Sequence, residues 1–258
     1  MMMVAAGLAF ALGLMLVLWV LHLRLRNAAV VDVGWTVAVG AQAVSAALLG
    51  GGDPVRRAIV GLVGGAWSVR LAWHLVVRVA REPEDARYAE LRARWGGNLP
   101  LKFLAFFLFQ GALATVLGVP FFVAAADPSP ALHPLLFAGL ALGLVSVLGE
   151  AVADGQLRRF RADPAHRGAV CRVGLWGWSR HPNYFFEWLA WVAFVLIAAG
   201  SPWGWATVTS PLLMLYFLLR VTGIPATEAH ALRSRGVDYA RYQREVSAFV
   251  PWKPTIFR

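Results

Sequence analysis

Residues 179–188 read Ser-Arg-His-Pro-Asn-Tyr-Phe-Phe-Glu-Trp, a basic polar segment that runs straight into an apolar one. Pro182 suits the first turn of a helix, where its missing N–H costs nothing. Asn183 and Glu187 then stand four residues apart on one helical face, flanked by Arg180 and Tyr184. A glutamate one turn inside a membrane helix is expensive, so its presence points to a bound polar group rather than to packing. Upstream, Glu150, Asp154, Arg158 and Arg161 recur at i, i+4, i+8 and i+11. Such a stripe is either a ladder of ion pairs, worth about 0.3 kcal/mol each, or a cationic wall for phosphates with carboxylates for hydroxyl and amide groups. Its neighbour, Arg180-His181-Pro182-Asn183-Tyr184, favours the second.

The elements that must position these residues are membrane helices. Of 258 residues, 59% are hydrophobic and only 15% charged, and the mean hydropathy is +0.61. Apolar runs long enough to cross a ~30 Å hydrocarbon core recur along the chain. Seven are predicted, at 3–23, 28–51, 58–79, 101–125, 131–153, 184–200 and 203–224. The fold class is therefore all-α, a polytopic membrane protein of about seven transmembrane helices with a helical tail. Nothing basic precedes the first run, and Arg24 and Arg26 follow it as an anchor's flank would, so it reads as a retained helix and not a cleaved signal. In the tail, 226–235 ends at Gly236, and Tyr239, Tyr242 and Val246 continue at helical spacing until Pro251.

The net charge of +10 raises the question of nucleic acid, but its distribution answers it. Arginines and lysines gather in alternate segments, at 24–26, 81–102, 158–180 and 233–258, where Arg258 is the last. The opposite loops carry only Arg56 and Arg57. The positive-inside rule then places the N-terminus outside and the C-terminus in the cytoplasm, and no nucleic-acid partner is needed.

Three further groups carry charge at depth. Asp32 stands near the start of the second run, and Arg70 and His74 share a face of the third. Charges at such depth find partners inside the bundle; Asp32 with Arg70 is either a structural ion pair or part of a cavity wall. Glu84-Asp85-x-Arg87-Tyr88 follows the third run, a solvated charge run in which Tyr88 is still a usable hydroxyl donor. His181, Glu187, Glu228 and His230 lack the spacing of a zinc helix, so no metal is expected. Cys171 alone supports neither a disulfide nor a thiolate site. No glycine pattern follows a strand in the manner of a dinucleotide-binding fold.

The segment from Leu175 to Trp188 resembles the C-terminal signature of the steroid 5α-reductase superfamily. The likeness is greatest to its bacterial branch, the DUF1295 family. Val31-Asp32-Val33-Gly34-Trp35, Glu84-Asp85-x-Arg87-Tyr88 and Gly236-x-Asp238-Tyr239-x-x-Tyr242 look like the same branch, and the likeness runs from about residue 30 to 252. It implies one integral-membrane domain over 1–258 in a bacterial inner membrane, with 150–252 as its cofactor-binding part. It implies NADPH as cofactor and a membrane-borne, lipophilic small molecule carrying an enone as substrate. Asn183 and Glu187 would stand near the nicotinamide, with Asp154, Arg158, Arg161 and, less directly, Arg172 toward the rest of the cofactor. Arg180, His181, Tyr184, Glu228 and Tyr239 complete the implied cofactor set. Asp32, Arg70 and Tyr88 are the candidates for the catalytic groups at the ketone. The position of the family's ketone-binding tyrosine aligns with Trp67, which has no hydroxyl. Membrane methyltransferases that use S-adenosylmethionine share an Arg-His-Pro-x-Tyr motif with a later glutamate pair; this chain has the single Glu228 after Thr227.

Overall fold

The computed structural model describes residues 2–130 and 133–254. Ala131, where the fifth apolar run begins, and Arg258 of the basic tail lie outside them. Among the described residues ten α-helices form: α1 (Met2–Leu25), α2 (Val30–Leu49), α3 (Pro54–Arg81), α4 (Ala86–Trp95), α5 (Leu99–Leu117), α6 (Val119–Ala126), α7 (Pro134–Ala162), α8 (Pro182–Ala198), α9 (Thr209–Tyr216) and α10 (Ile224–Glu245). No strand forms among the described residues. The chain is an all-α polytopic membrane protein, as its apolar runs predict.

Among the described residues six helical stretches are long and apolar enough to span a bilayer: α1, α2, α3, α5 with α6, α7, and the stretch Gly204–Glu245. The sixth predicted run is α8, at 17 residues a shorter apolar helix. In lipid every backbone polar group must be satisfied internally, which is why each crossing is helical. The fourth predicted run breaks at Gly118, just before Pro120, whose ring cannot join a continuous helix. The seventh widens into one π-helical turn at Phe217–Val221 before α10 starts. Helix α10 kinks at Gly236, as the sequence predicts, but it stops at Glu245 rather than near Pro251.

The chain forms two compact units. The first comprises Met1–Ala141 and Val192–Ser210. Within it α1 buries a narrow stripe, Gly7, Ala11, Met15 and His22, and leaves residues such as Val17 exposed. His22 is buried against the rings of Phe103 and Phe107. Trp67 packs edge-on to Trp35, with centroids 5.8 Å apart. Beyond the ends of α2 and α6, Arg56 and Asp127 form an ion pair, each 2% exposed. Burial works against the Asp127 carboxylate, but hydrogen bonds from Ser129 and Ser201 and the Arg56 charge outweigh it and hold its pKa below the usual value.

The second unit comprises Leu142–Trp191 and Pro211–Arg258. Its helices α7 and α8 approach closely because position 149 is glycine: a Cβ there would lie 2.4 Å from the Phe186 ring. Ser146 Oγ donates to the Phe186 carbonyl at 2.6 Å and ties the two helices at that level. Cys171 is buried and unpaired, and burial pushes its thiol pKa up.

Candidate cofactor-binding site

Helix α8 begins at Pro182, as its sequence predicts. The fully buried Ser179 prepares this start: its Oγ accepts the His181 N–H at 3.1 Å and donates to the Phe249 carbonyl at 2.8 Å. One residue into the helix, Asn183 Nδ2 donates to Asp154 Oδ1 at 3.4 Å. Asp154 is 7% exposed, whereas Asn183 and Glu187 are half-buried along the face they share. A carboxylate, an amide and a second carboxylate thus belong to one polar strip on α7 and α8. Along α7 the strip changes character. Glu150 and Asp154 are buried, and Arg158 and Arg161 are exposed. Chemically this is a gradient from hydrogen-bond acceptors at depth to guanidinium groups in water, suited to a ligand with an amide or hydroxyl end and an anionic end.

The chain returns from α7 through Gly174, which has φ 57°, in the left-handed region. A Cβ at that position would also collide with Gln156, whose Oε1 accepts the Leu175 N–H at 2.9 Å. Gly174 is thus required twice, by its dihedral and by the space around it.

Arg180, His181 and Glu228 meet one another. Arg180 Nε binds Glu228 Oε1 at 2.6 Å, and His181 Nε2 lies 3.2 Å from the same oxygen. Gln243 Nε2 donates to Glu228 Oε2 at 2.8 Å, so both carboxylate oxygens are engaged. Arg180 Nη1 donates to the carbonyls of Gln243 and Val246, which end α10. Burial lowers the His181 pKa, partly offset by Glu228, so the imidazole is neutral at pH 7. Tyr184 stacks on His181 with ring centroids 5.4 Å apart, and its hydroxyl lies 3.3 Å from Thr227 Oγ1. Arg172 pairs with Glu245 and lies over the Tyr242 ring, 5.1 Å from its centroid. Tyr239 is buried in a cluster with Ala231, Tyr242 and Val246. Of the residues expected to hold cofactor, Asp154, Asn183, Glu187, Arg158 and Arg161 belong to the α7–α8 strip. Arg180, His181 and Glu228 form a closed network behind the start of α8, and Arg172 and Tyr239 secure the tail.

In the first unit, the partners of Asp32 come from α4. Tyr88 Oη donates to Asp32 Oδ1 at 2.5 Å, and Arg87 Nη2 reaches Oδ2 at 3.1 Å. Arg87 and Arg78 also bind Asp85, whose side chain caps the first turn of α4. Glu84 accepts the Ala28 N–H at 2.7 Å and binds Arg92, and so fixes the entry to α2. The segment read as a solvated charge run is therefore tied to the start of α2, and Tyr88 is 5% exposed. Burial, then the Asp32 charge, push the Tyr88 phenol pKa well above its ordinary value. Arg70 and His74 lie on α3, half-buried. No spacing rule in the sequence links Asp32 to residues 55 and 56 positions later; the clue available was the Asp-x-Arg-Tyr grouping itself.

These features define a polytopic helical membrane protein with a polar, arginine-fringed strip at the end of one helix pair. The family model described as "Protein of unknown function (DUF1295)" matches residues 18–246. The chain belongs to that family, which is associated with the steroid 5α-reductase-like superfamily. No curated protein and no solved structure matches it.

Proposed function

We propose that the protein is a membrane-embedded, NADPH-dependent reductase acting on a carbon–carbon double bond conjugated to a ketone in a lipophilic substrate. The observation that carries this reading is the 3.4 Å contact of Asn183 with the buried Asp154, on a strip that ends in the exposed Arg158 and Arg161. The residues present fit the cofactor. Asn183 and Glu187 offer an amide and a carboxylate to a carboxamide group, Asp154 an acceptor, and the two arginines bidentate donors for phosphate. When bound, NADPH supplies a hydride to the β-carbon of the enone.

The chain's remaining task is to stabilise negative charge on the ketone oxygen and to supply a proton. Tyr88 is the candidate donor. Its phenol stays neutral across the physiological range and already donates to Asp32. Its single O–H is held by Asp32, so that bond must first be given up; the hydroxyl then released to a developing enolate oxygen contributes about 3 kcal/mol by analogy with single oxyanion donors. Arg87 pairs with Asp32 and so lessens the carboxylate's hold on that proton.

A methyltransferase using S-adenosylmethionine would need Arg180, His181 and Glu228 to face the methyl donor. Those three already satisfy one another and the end of α10, whereas the reductase reading retains the separate α7–α8 strip. The test is a titration of purified protein with NADPH in wild type, Asn183→Ala and Arg158→Ala. Loss of affinity by tenfold or more in both variants, at unchanged melting temperature, supports the site; equal affinity in all three proteins removes it.

A further inference from the structure

Residues 246–252 leave α10 as a bent, irregular segment that lies along residues 176–180, with one isolated bridge between Ser179 and Ser247. The Arg180 N–H donates to the Ser247 carbonyl at 2.8 Å, and the Trp252 N–H to the Trp178 carbonyl at 3.0 Å. Ser179 Oγ reaches the Phe249 carbonyl, and Tyr242 Oη, on the last turn of α10, donates to the Trp176 carbonyl. Ser179, Tyr242 and Phe249 are exposed by 0%, 2% and 8%. The Phe249 ring packs on Phe185 and Trp188 of α8, with centroids 5.6 and 5.9 Å apart. Those two residues lie on another side of α8 from Asn183 and Glu187, so the ring sets the rotation of the helix as well as its start.

We propose that the tail segment 246–252, latched by Tyr242 and Ser179, is a positioning strap: it holds loop 176–181 in the conformation from which α8 presents Asn183 to Asp154. The loop has only short 3-10 turns of its own, so several of its buried polar groups depend on the tail, and buried backbone groups are costly to leave unmade. The Asn183–Asp154 contact is already long at 3.4 Å. A displacement of about 0.5 Å at the start of α8 carries it past hydrogen-bonding distance. Tyr242 touches no group of the α7–α8 strip; it acts through the loop. Nor does the tail's sequence announce the role, because Tyr239, Tyr242 and Val246 read as one helical face.

The use of the strap rests on the reductase reading; its mechanics do not. The test is Tyr242→Phe and Ser179→Ala in the full-length protein in nanodiscs. Tyr242→Phe keeps the ring against Tyr239 and Arg172 and removes only the latching hydroxyl; Ser179→Ala breaks the strap from the loop side and also removes the acceptor of the His181 N–H, so the His181 amide is left out of its comparison. Amide hydrogen exchange is followed over 176–184 and over α9, and NADPH affinity is titrated in parallel. In both variants the 176–184 amides are expected to exchange at least about tenfold faster, the exchange expected when ~1.4 kcal/mol of local protection is lost. Exchange in α9 stays unchanged and NADPH affinity falls by about the same factor. Unchanged exchange over 176–184 overturns the strap. Faster exchange with undiminished NADPH affinity shows that the strap does not position the site and overturns the proposal. Wild-type protein that binds no NADPH overturns the reductase reading, and the exchange data then decide the mechanics alone.

Discussion

Replacing Arg180 with methionine strands a carboxylate. The Glu228 side chain is 14% exposed, and Arg180 Nε at 2.6 Å is its cationic partner. Gln243 and His181 remain as hydrogen-bond donors, but His181 is held neutral by burial and supplies no charge. Removing one member of a buried pair costs about 3–5 kcal/mol, because the other charge stays buried without compensation. The carbonyls of Gln243 and Val246 lose a donor as well, at about 1 kcal/mol each. Methionine fills the space of the arginine stem, so the packing loss is small. For a chain of this size each kcal/mol lowers the melting temperature by roughly 2–4 °C, so a combined cost near 6 kcal/mol appears as a drop of about 12–24 °C. Adding Glu228→Gln to the same protein neutralises the stranded charge, keeps hydrogen-bonding atoms near Gln243 and His181, and should recover about half of that loss. The assay is thermal unfolding of detergent-purified single and double variants, followed by intrinsic tryptophan fluorescence. A single variant that melts within about 2 °C of wild type, or a double variant no more stable than the single, would refute the view that Glu228 depends on Arg180.

Tyr88→Phe should lower turnover of an enone substrate by about a hundredfold, with little change in NADPH affinity, as a lost donor at the oxyanion requires; equal turnover rejects Tyr88 as donor. The raised Tyr88 pKa also has a stability consequence. Below pH 10 the phenol is neutral folded or unfolded. Above that value the unfolded chain ionises first, and stability is lost as pH rises toward the folded pKa. Wild type should therefore lose more stability than Tyr88→Phe between pH 9.5 and 11, readable as melting temperature against pH. Gly174→Ala forces a side chain to φ 57° and against Gln156. It should destabilise the protein by about 1–3 kcal/mol, and a melting temperature equal to wild type would contradict the constraint.

The sequence made some of this legible because the determinants are local. Apolar runs follow from composition, Pro182 marks the start of α8, Gly236 the kink in α10, and the Asn183–Glu187 face needs only helical periodicity. Partnerships distant in the chain were not legible. Nothing local in the sequence joins Arg180 to Glu228, 48 residues away, or to the carbonyls at 243 and 246. Asp32 meets Arg87 and Tyr88 through α4, which no apolar run predicts. Val246 fits the helical spacing of Tyr239 and Tyr242, but the hydrogen bonds offered by loop 176–180 end α10 one residue earlier. In each instance a long-range polar contact outweighs the local pattern.

The central claim is that the α7–α8 strip holds NADPH, and its most direct test is ligand-induced stabilisation of the purified protein by NADPH, NADH and S-adenosylmethionine side by side. Selective stabilisation by NADPH, weakened in Asn183→Ala and Arg158→Ala, is the predicted result. Stabilisation by S-adenosylmethionine alone, with no response to either nicotinamide cofactor, would contradict the account.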